Sequence, residues 1–222
     1  MTMHRHIVLL GDSIFDNHAY TGGEPDVASC LRQILPQGWR VTLRAVDGNT
    51  TADLPAQARG MPADASHLVV SIGGNDALGN LNLLTLPVES TSEALEIFAE
   101  HIQRFQSNYA NAMEAVLKVG LPTTICTIYN GNFSVVEGAK VLRAALMMYN
   151  DVILNFAIQH RLQVIDLRMV CTKSIDYANP IEPSGVGGCK IALAIAHAAG
   201  GRDASTKRNE IWGAGDADLC EK

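Results

Sequence analysis

Short apolar runs alternate with longer amphipathic segments along this chain. The apolar runs predict five strands, at 6–10, 40–46, 67–72, 123–128 and 163–167. Between them, apolar positions recur every three or four residues, which is typical of amphipathic helices. These segments predict helices at 25–35, 51–59, 92–118, 138–160 and 186–199. Strands that alternate with helices indicate an α/β fold, a three-layer α/β/α sandwich around a five-stranded parallel sheet.

The chain is predicted to form a single domain over residues 1–222. It contains no internal repeat, low-complexity tract or linker that would separate two domains. The helical periodicity is lost over residues 200–222, which are therefore expected to form a C-terminal tail. Trp212 in this tail suggests that part of it docks on the domain.

Composition narrows the possible partners and the compartment. The net charge is −6 and there is no cluster of Lys and Arg, which argues against a nucleic-acid partner. The segment before Gly11 is too short for a signal peptide, and no stretch has the ~18 apolar residues of a membrane span. The cysteines are scattered and never form a CxxC pair, so we expect five reduced thiols and a cytoplasmic protein. They are Cys30, Cys126, Cys171, Cys189 and Cys220.

Polar residues and glycines follow the first three predicted strands. Ser13 comes after the first, Gly48 after the second and Asn75 after the third. Because ligands bind beyond the carboxyl ends of parallel strands, these residues are expected to share one site. Each belongs to a common turn sequence, but together they supply a hydroxyl nucleophile and hydrogen-bond donors for an oxyanion. The combination predicts acyl transfer.

On these residues the chain resembles the SGNH, or GDSL-type, hydrolase superfamily of esterases and lipases. Residues 6–18 (HIVLLGDSIFDNH), 46–54 (VDGNTTADL) and 69–78 (VVSIGGNDAL) are similar to its first three sequence blocks. The resemblance implies the flavodoxin-like SGNH architecture, with Ser13 as the nucleophile. It also implies an oxyanion hole formed by the Ser13 amide, Gly48 and Asn75. We expect neither a cofactor nor a metal ion.

The fourth block of the family is different here. The family has an Asp, two residues and then the His that acts as base, followed by proline and a closing helix. Asn179 stands at the Asp position and Glu182 at the His position, with Pro183 and an apolar segment after them. The nucleophile therefore lacks its usual base.

Two residues are candidates to replace this base. Burial can raise the pKa of Glu182 towards ~6–7, where a carboxylate accepts a proton more readily. The Asn179 amide would then donate a hydrogen bond that orients the carboxylate. His18, five residues after Ser13, is the alternative base. In a third interpretation Glu182 is only structural.

The sequence thus predicts an ester hydrolase that forms an acyl-enzyme on Ser13. Its partner would be a small-molecule ester with a small or medium acyl group. The alternatives are a catalytically weak or inactive protein that binds a small polar ligand, and an esterase that removes O-acetyl groups from carbohydrates.

Overall fold

A computed structural model describes residues 5–133 and 138–200 of the chain. The C-terminal tail from 201 onward, including Trp212 and Cys220, lies outside the described residues. The prediction that Trp212 docks on the domain therefore stays a prediction.

The five predicted strands form one parallel sheet with the order β2-β1-β3-β4-β5. Their bounds are β1 His6–Gly11, β2 Arg40–Leu43, β3 His67–Ser71, β4 Thr123–Cys126 and β5 Gln163–Ile165. β1 lies inside the sheet, with β2 on one side and β3, β4 and β5 on the other. The chain therefore changes the direction in which it adds strands after β2. Loops that leave β1 and β3 at their carboxyl ends are consequently neighbours, the usual position of a ligand site in such sheets.

Helices cover both faces of the sheet, so the three-layer α/β/α prediction is confirmed. The helices are α1 Val27–Ile34, α2 Leu54–Gln57, α3 Gly74–Leu78, α4 Thr91–Leu117, α5 Ala139–Gln159, α6 Leu167–Val170 and α7 Gly185–Gly200. A short 3₁₀ helix, Leu81–Thr85, precedes α4. Asp26 and Ser90 cap the amino ends of α1 and α4 by accepting hydrogen bonds from backbone N–H groups in the first turn.

Alternating residues of β1 divide the hydrophobic core into two clusters. Ile7 and Leu9 pack with α1, α6 and α7 on one face. Val8 and Leu10 pack with α2, α4 and α5 on the other. Successive side chains of a strand point to opposite faces, so a buried central strand must be apolar at every position. This explains why the run Ile7–Leu10 shows no polar alternation.

The prediction of five reduced cysteines is wrong for one pair. Cys30 in α1 and Cys189 in α7 form a disulfide, with their Cα atoms 5.3 Å apart. These cysteines are 159 residues apart in sequence, so no local spacing motif could reveal the pairing. Cys126 and Cys171 are free and buried. The cytoplasmic location remains a prediction, and it loses its argument from reduced thiols.

Among the described residues, α5 is the one helix long and apolar enough to span a membrane by length and composition. This is weak evidence for a span, because core helices have the same composition. In this fold α5 packs one face against the sheet and α4, with Tyr149, Ile153 and Phe156 buried.

The disulfide predicts a stability that depends on reducing agent. Reduction should lower the free energy of unfolding by about 2–4 kcal/mol, because the cross-link restricts the unfolded chain. Urea unfolding of the wild type with and without dithiothreitol measures the difference. The Cys30→Ala/Cys189→Ala variant should give curves that do not respond to the reductant. Coincident wild-type curves under both conditions would contradict the expected contribution.

Candidate active site

The nucleophile candidate lies in a tight turn at the carboxyl end of β1. Gly11 ends the strand with φ +134°, a conformation that favours glycine. A Cβ at this position would lie only 1.8 Å from the Ser71 carbonyl oxygen of the adjacent strand β3. Glycine is therefore required for the two strands to pair here. The turn brings Ser13, two residues later, to the edge of the sheet.

Ser13 is in direct contact with Glu182. Its Oγ donates a hydrogen bond to Glu182 Oε1 over 3.1 Å. Both residues are buried, with 6% of each exposed. The second carboxylate oxygen, Oε2, is buried with no hydrogen-bond partner. The residue at the position of the family's histidine thus contacts the serine, and one of its oxygens is free for a ligand.

A tight loop holds Glu182 in place, and Asn179 shapes that loop. The Asn179 side-chain oxygen accepts hydrogen bonds from the backbone N–H groups of Ile181 and Glu182, each at 2.9 Å. The Tyr129 hydroxyl donates to the Ile181 carbonyl. The expectation that Asn179 donates to the carboxylate is therefore wrong. Asn179 acts on the backbone, because an asparagine oxygen can accept two N–H bonds in a turn.

Burial changes the acidity of Glu182. It raises the pKa of this carboxyl to about 7, although the hydrogen bond from Ser13 opposes the rise by stabilising the charged form. The negative charge of Asp47 raises the pKa further. At neutral pH a large fraction of molecules thus carries an ionised Glu182 that can accept a proton.

Asp12 is a second buried carboxyl beside the site. Burial raises its pKa to about 8, and the backbone hydrogen bond from Ile14 offsets part of the rise. The charge of Glu182 raises the pKa of Asp12 as well. Asp12 Oδ1 accepts from the Ile14 N–H at 3.1 Å, so the carboxyl also helps to shape the nucleophile turn.

The side chain of Asn75 reaches across to the loop after β2. Its Nδ2 donates to the Asn49 carbonyl at 2.9 Å, which leaves one of its two N–H groups available to a ligand. The neighbouring Gly48 has φ +82°, in the left-handed region that favours glycine. Gly48 is not among the residues that line the cavity described below. Its role as an oxyanion donor stays a prediction.

Gln57 connects the end of β1 to the loop after β2, and the sequence motifs did not point to it. It accepts from the Gly11 N–H at 2.7 Å and donates to the Gly11 carbonyl at 2.8 Å. Its amide also donates to Asn49 Oδ1 at 2.7 Å. The residue lies in α2, so no motif of the strand ends includes it.

Asp76 provides a further connection between the second and third loops. Its carboxylate accepts from the Thr51 N–H at 3.0 Å and from the Thr51 hydroxyl at 2.6 Å. Asp76 lies in the first turn of α3, one residue after Asn75. The structure gives it a partner in the loop after β2, which fixes α3 and hence Asn75 relative to that loop.

Ser13, Asn75, Asp12 and Glu182 line one cavity. Its remaining walls come mainly from apolar residues of α3, α4, α5 and the 3₁₀ helix Leu81–Thr85. Among residues 5–133 and 138–200, no group of three or more His, Cys, Asp or Glu side chains could hold a metal ion. The polar groups of the cavity include the Ser13 hydroxyl, the Asn75 amide and the carboxyls of Asp12 and Glu182.

His18, the alternative base, lies on the surface. Its side chain is 79% exposed, and Nδ1 is 3.3 Å from Asp26 Oδ2. His18 does not belong to the residues that line the cavity. Of the two candidate bases, Glu182 is therefore the one in contact with Ser13.

Comparisons with known proteins identify the family and the fold. A sequence model of the GDSL-like lipase/acylhydrolase family matches residues 9–185. The search of curated proteins found no match. Among solved structures, an extracellular lipase from Streptomyces rimosus has 17% identity and a TM-score of 0.66, over 87% of this chain and 99% of that one. A lipase from a goat rumen metagenome has 19% identity and a TM-score of 0.67, over 89% of this chain and 99% of the lipase. The acetyl xylan esterase AlAXEase has 14% identity and a TM-score of 0.63, over 87% of this chain and 98% of the esterase.

The contact between Ser13 and Glu182 predicts how a mutation moves the carboxyl titration. Since the hydroxyl stabilises the charged form, Ser13→Ala should raise the pKa of Glu182 above its wild-type value of about 7. Carbon-13 NMR of the glutamate carboxyl groups measures this pKa. The Glu182→Gln variant identifies the resonance by its loss. An unchanged or lower pKa in Ser13→Ala would show that the hydroxyl does not bond to the carboxylate.

Proposed function

Because the chain belongs to the GDSL-like lipase/acylhydrolase family, we propose that it hydrolyses carboxylic esters through an acyl-enzyme on Ser13, with Glu182 as the general base. The observation that carries this proposal is the hydrogen bond from Ser13 Oγ to Glu182 Oε1. The substrates proposed are esters of small or medium acyl groups.

In the first half of the proposed reaction, Ser13 Oγ attacks the ester carbonyl carbon and its proton passes to Glu182 Oε1. The Ser13 amide, the Gly48 amide and the free N–H of Asn75 hold the resulting oxyanion. When the tetrahedral intermediate collapses, Glu182 returns the proton to the leaving alcohol. Ser13 then carries the acyl group as an ester.

In the second half, a water molecule attacks this acyl-enzyme. Glu182 accepts a proton from the water and gives it to Ser13 Oγ as the carboxylic acid leaves. The unpartnered oxygen Oε2 supplies an additional acceptor for the attacking water. The carboxyl thus serves both steps without changing position.

The raised pKa makes Glu182 a plausible substitute for histidine. An ordinary glutamate has a pKa of about 4.3, whereas the pKa of a free histidine is about 6.5. At a pKa of about 7, Glu182 has the basicity of an imidazole. The rise from the ordinary value makes the ionised carboxylate a stronger proton acceptor.

A second candidate function is the binding of a small ligand with little or no turnover. The replacement of the family's histidine by Glu182 favours it, since a glutamate of ordinary pKa is a weak base for a serine hydroxyl. An O-acetyl esterase of carbohydrates is a further variant of the hydrolase proposal. Turnover measurements distinguish ligand binding from ester hydrolysis. The preference for acetyl or longer acyl groups distinguishes an O-acetyl esterase from other ester hydrolases.

Replacing the base tests the mechanism. Glu182→Gln keeps the size of the side chain but removes the proton acceptor, so kcat should fall about 10²–10⁴-fold on a p-nitrophenyl ester. The wild-type kcat/KM should rise as the pH increases through about 7, where Glu182 loses its proton. Ser13→Ala should abolish formation of the acyl-enzyme, seen by mass spectrometry after rapid quenching.

The matched control is Glu96→Gln, which neutralises an exposed glutamate of α4 and should leave the rates unchanged. Wild-type activity in Glu182→Gln, together with loss of activity in His18→Ala, would transfer the base to His18. No turnover of any ester by the wild type, combined with binding of a small polar ligand, would favour the second candidate function.

The oxyanion hole predicts a separate defect. Asn75→Ala removes a side-chain donor, so kcat should fall about 10²–10³-fold while KM changes little, because the donor acts mainly on the transition state. Steady-state kinetics on the same ester measure both parameters. Thermal unfolding of the variant checks that loss of the bond to Asn49 has not unfolded the loops. A variant that is folded and fully active would exclude Asn75 from the oxyanion hole.

A further inference from the structure

We infer that the cavity beside Ser13 binds an unbranched alkyl chain, so that the preferred substrates are esters of fatty acids longer than acetate. This inference rests on the ester hydrolysis proposed above and names the acyl group for the same site. It is carried by the two contrasting halves of the cavity.

One half of the cavity is polar and lies at the nucleophile. It contains Ser13, Asp12, Asn75 and Glu182, the groups described above. The other half is apolar and extends between the 3₁₀ helix Leu81–Thr85, α4 and α5. It is lined by Leu81, Leu84, Phe98, Leu142, Ala145 and Leu146. A ligand that fills both halves therefore needs a polar group at one end and a hydrocarbon portion at the other.

Asn80, a polar residue that lines the apolar half, already has hydrogen-bond partners for its amide nitrogen and its amide oxygen. Asn80 Nδ2 donates to the Asp76 carbonyl at 2.8 Å, and Asn80 Oδ1 lies 3.0 Å from His101 Nδ1. A sugar ring placed in this half would bury hydroxyl groups without partners, which is unfavourable. A methylene chain has no such requirement.

The apolar half also reaches the surface. Leu81, one of its lining residues, is 43% exposed. An acetyl group attached to Ser13 would leave this half without a ligand, while a longer acyl chain would transfer its methylenes from water onto the apolar walls. Each buried methylene should raise kcat/KM roughly fourfold until the cavity is filled.

The acyl preference is measured with p-nitrophenyl acetate, butanoate, hexanoate and octanoate below their micellar concentrations. The wild-type kcat/KM should increase along this series. Ala145→Phe places a ring in the apolar half and should lower the octanoate-to-acetate ratio by about 10-fold or more. Ala145→Leu places a smaller side chain in the cavity and replaces Ala145→Phe in this test if the phenylalanine variant does not fold.

The matched control is Ala144→Phe, because Ala144 is exposed on the same helix and does not line the cavity. This variant should keep the wild-type ratio. A wild-type preference for acetate, or an equal loss of the ratio in Ala144→Phe and Ala145→Phe, would overturn the inference while leaving ester hydrolysis intact.

Binding provides a readout that does not need turnover. Octanamide is neutral, and it presents a carbonyl group with the alkyl chain attached. By calorimetry on the Ser13→Ala variant, octanamide should bind at least about 10-fold more tightly than acetamide. The additional substitution Ala145→Phe should remove this difference. Equal binding of the two amides would overturn the inference whether or not the wild type hydrolyses esters.

Discussion

The burial of one carboxylate against one hydroxyl is the constraint on which this site depends. Glu182 must be buried from solvent for its pKa to rise, yet it must remain in hydrogen-bond contact with Ser13. A carboxyl whose pKa rises on folding contributes less to stability as the pH increases from the unfolded to the folded pKa. The protein therefore holds Glu182 ionised at a cost in folding free energy, which the bonds of the surrounding loop must offset.

The surrounding loops are fixed by polar side chains that have no part in the proposed chemistry. Gln57 joins the end of β1 to the loop after β2, and Asp76 joins that loop to α3. On the other side of the cavity, Lys190 of α7 forms an ion pair with Asp176 over 2.5 Å, next to the loop that carries Glu182. Such supporting contacts hold catalytic groups within the narrow tolerances that proton transfer requires. The apolar half of the cavity, in contrast, is formed by α4, α5 and the 3₁₀ helix between α3 and α4.

Local sequence patterns predicted the fold, and they predicted that Ser13 and Asn75 lie close together. The apolar runs and helical periodicity gave the strands and helices, since each is set by neighbours within a few residues. Ser13 and Asn75 could be placed because parallel strands end at one edge of the sheet. The role of Asn179, the connections of Gln57 and the Cys30–Cys189 bond could not be predicted. Each depends on how loops and helices distant in sequence approach one another, and an asparagine or glutamine can donate or accept equally well.

The sequence distance between the proposed nucleophile and the proposed base has a consequence for synthesis. Ser13 and Glu182 are 169 residues apart. At about 5–20 residues per second, a ribosome makes the base roughly 10–30 seconds after the serine. Cys189 follows Glu182, so the covalent link to α1 forms later still. In the proposed mechanism, the nascent chain therefore carries Ser13 without its proton acceptor until the segment that contains Glu182 has been synthesised and has folded against β1.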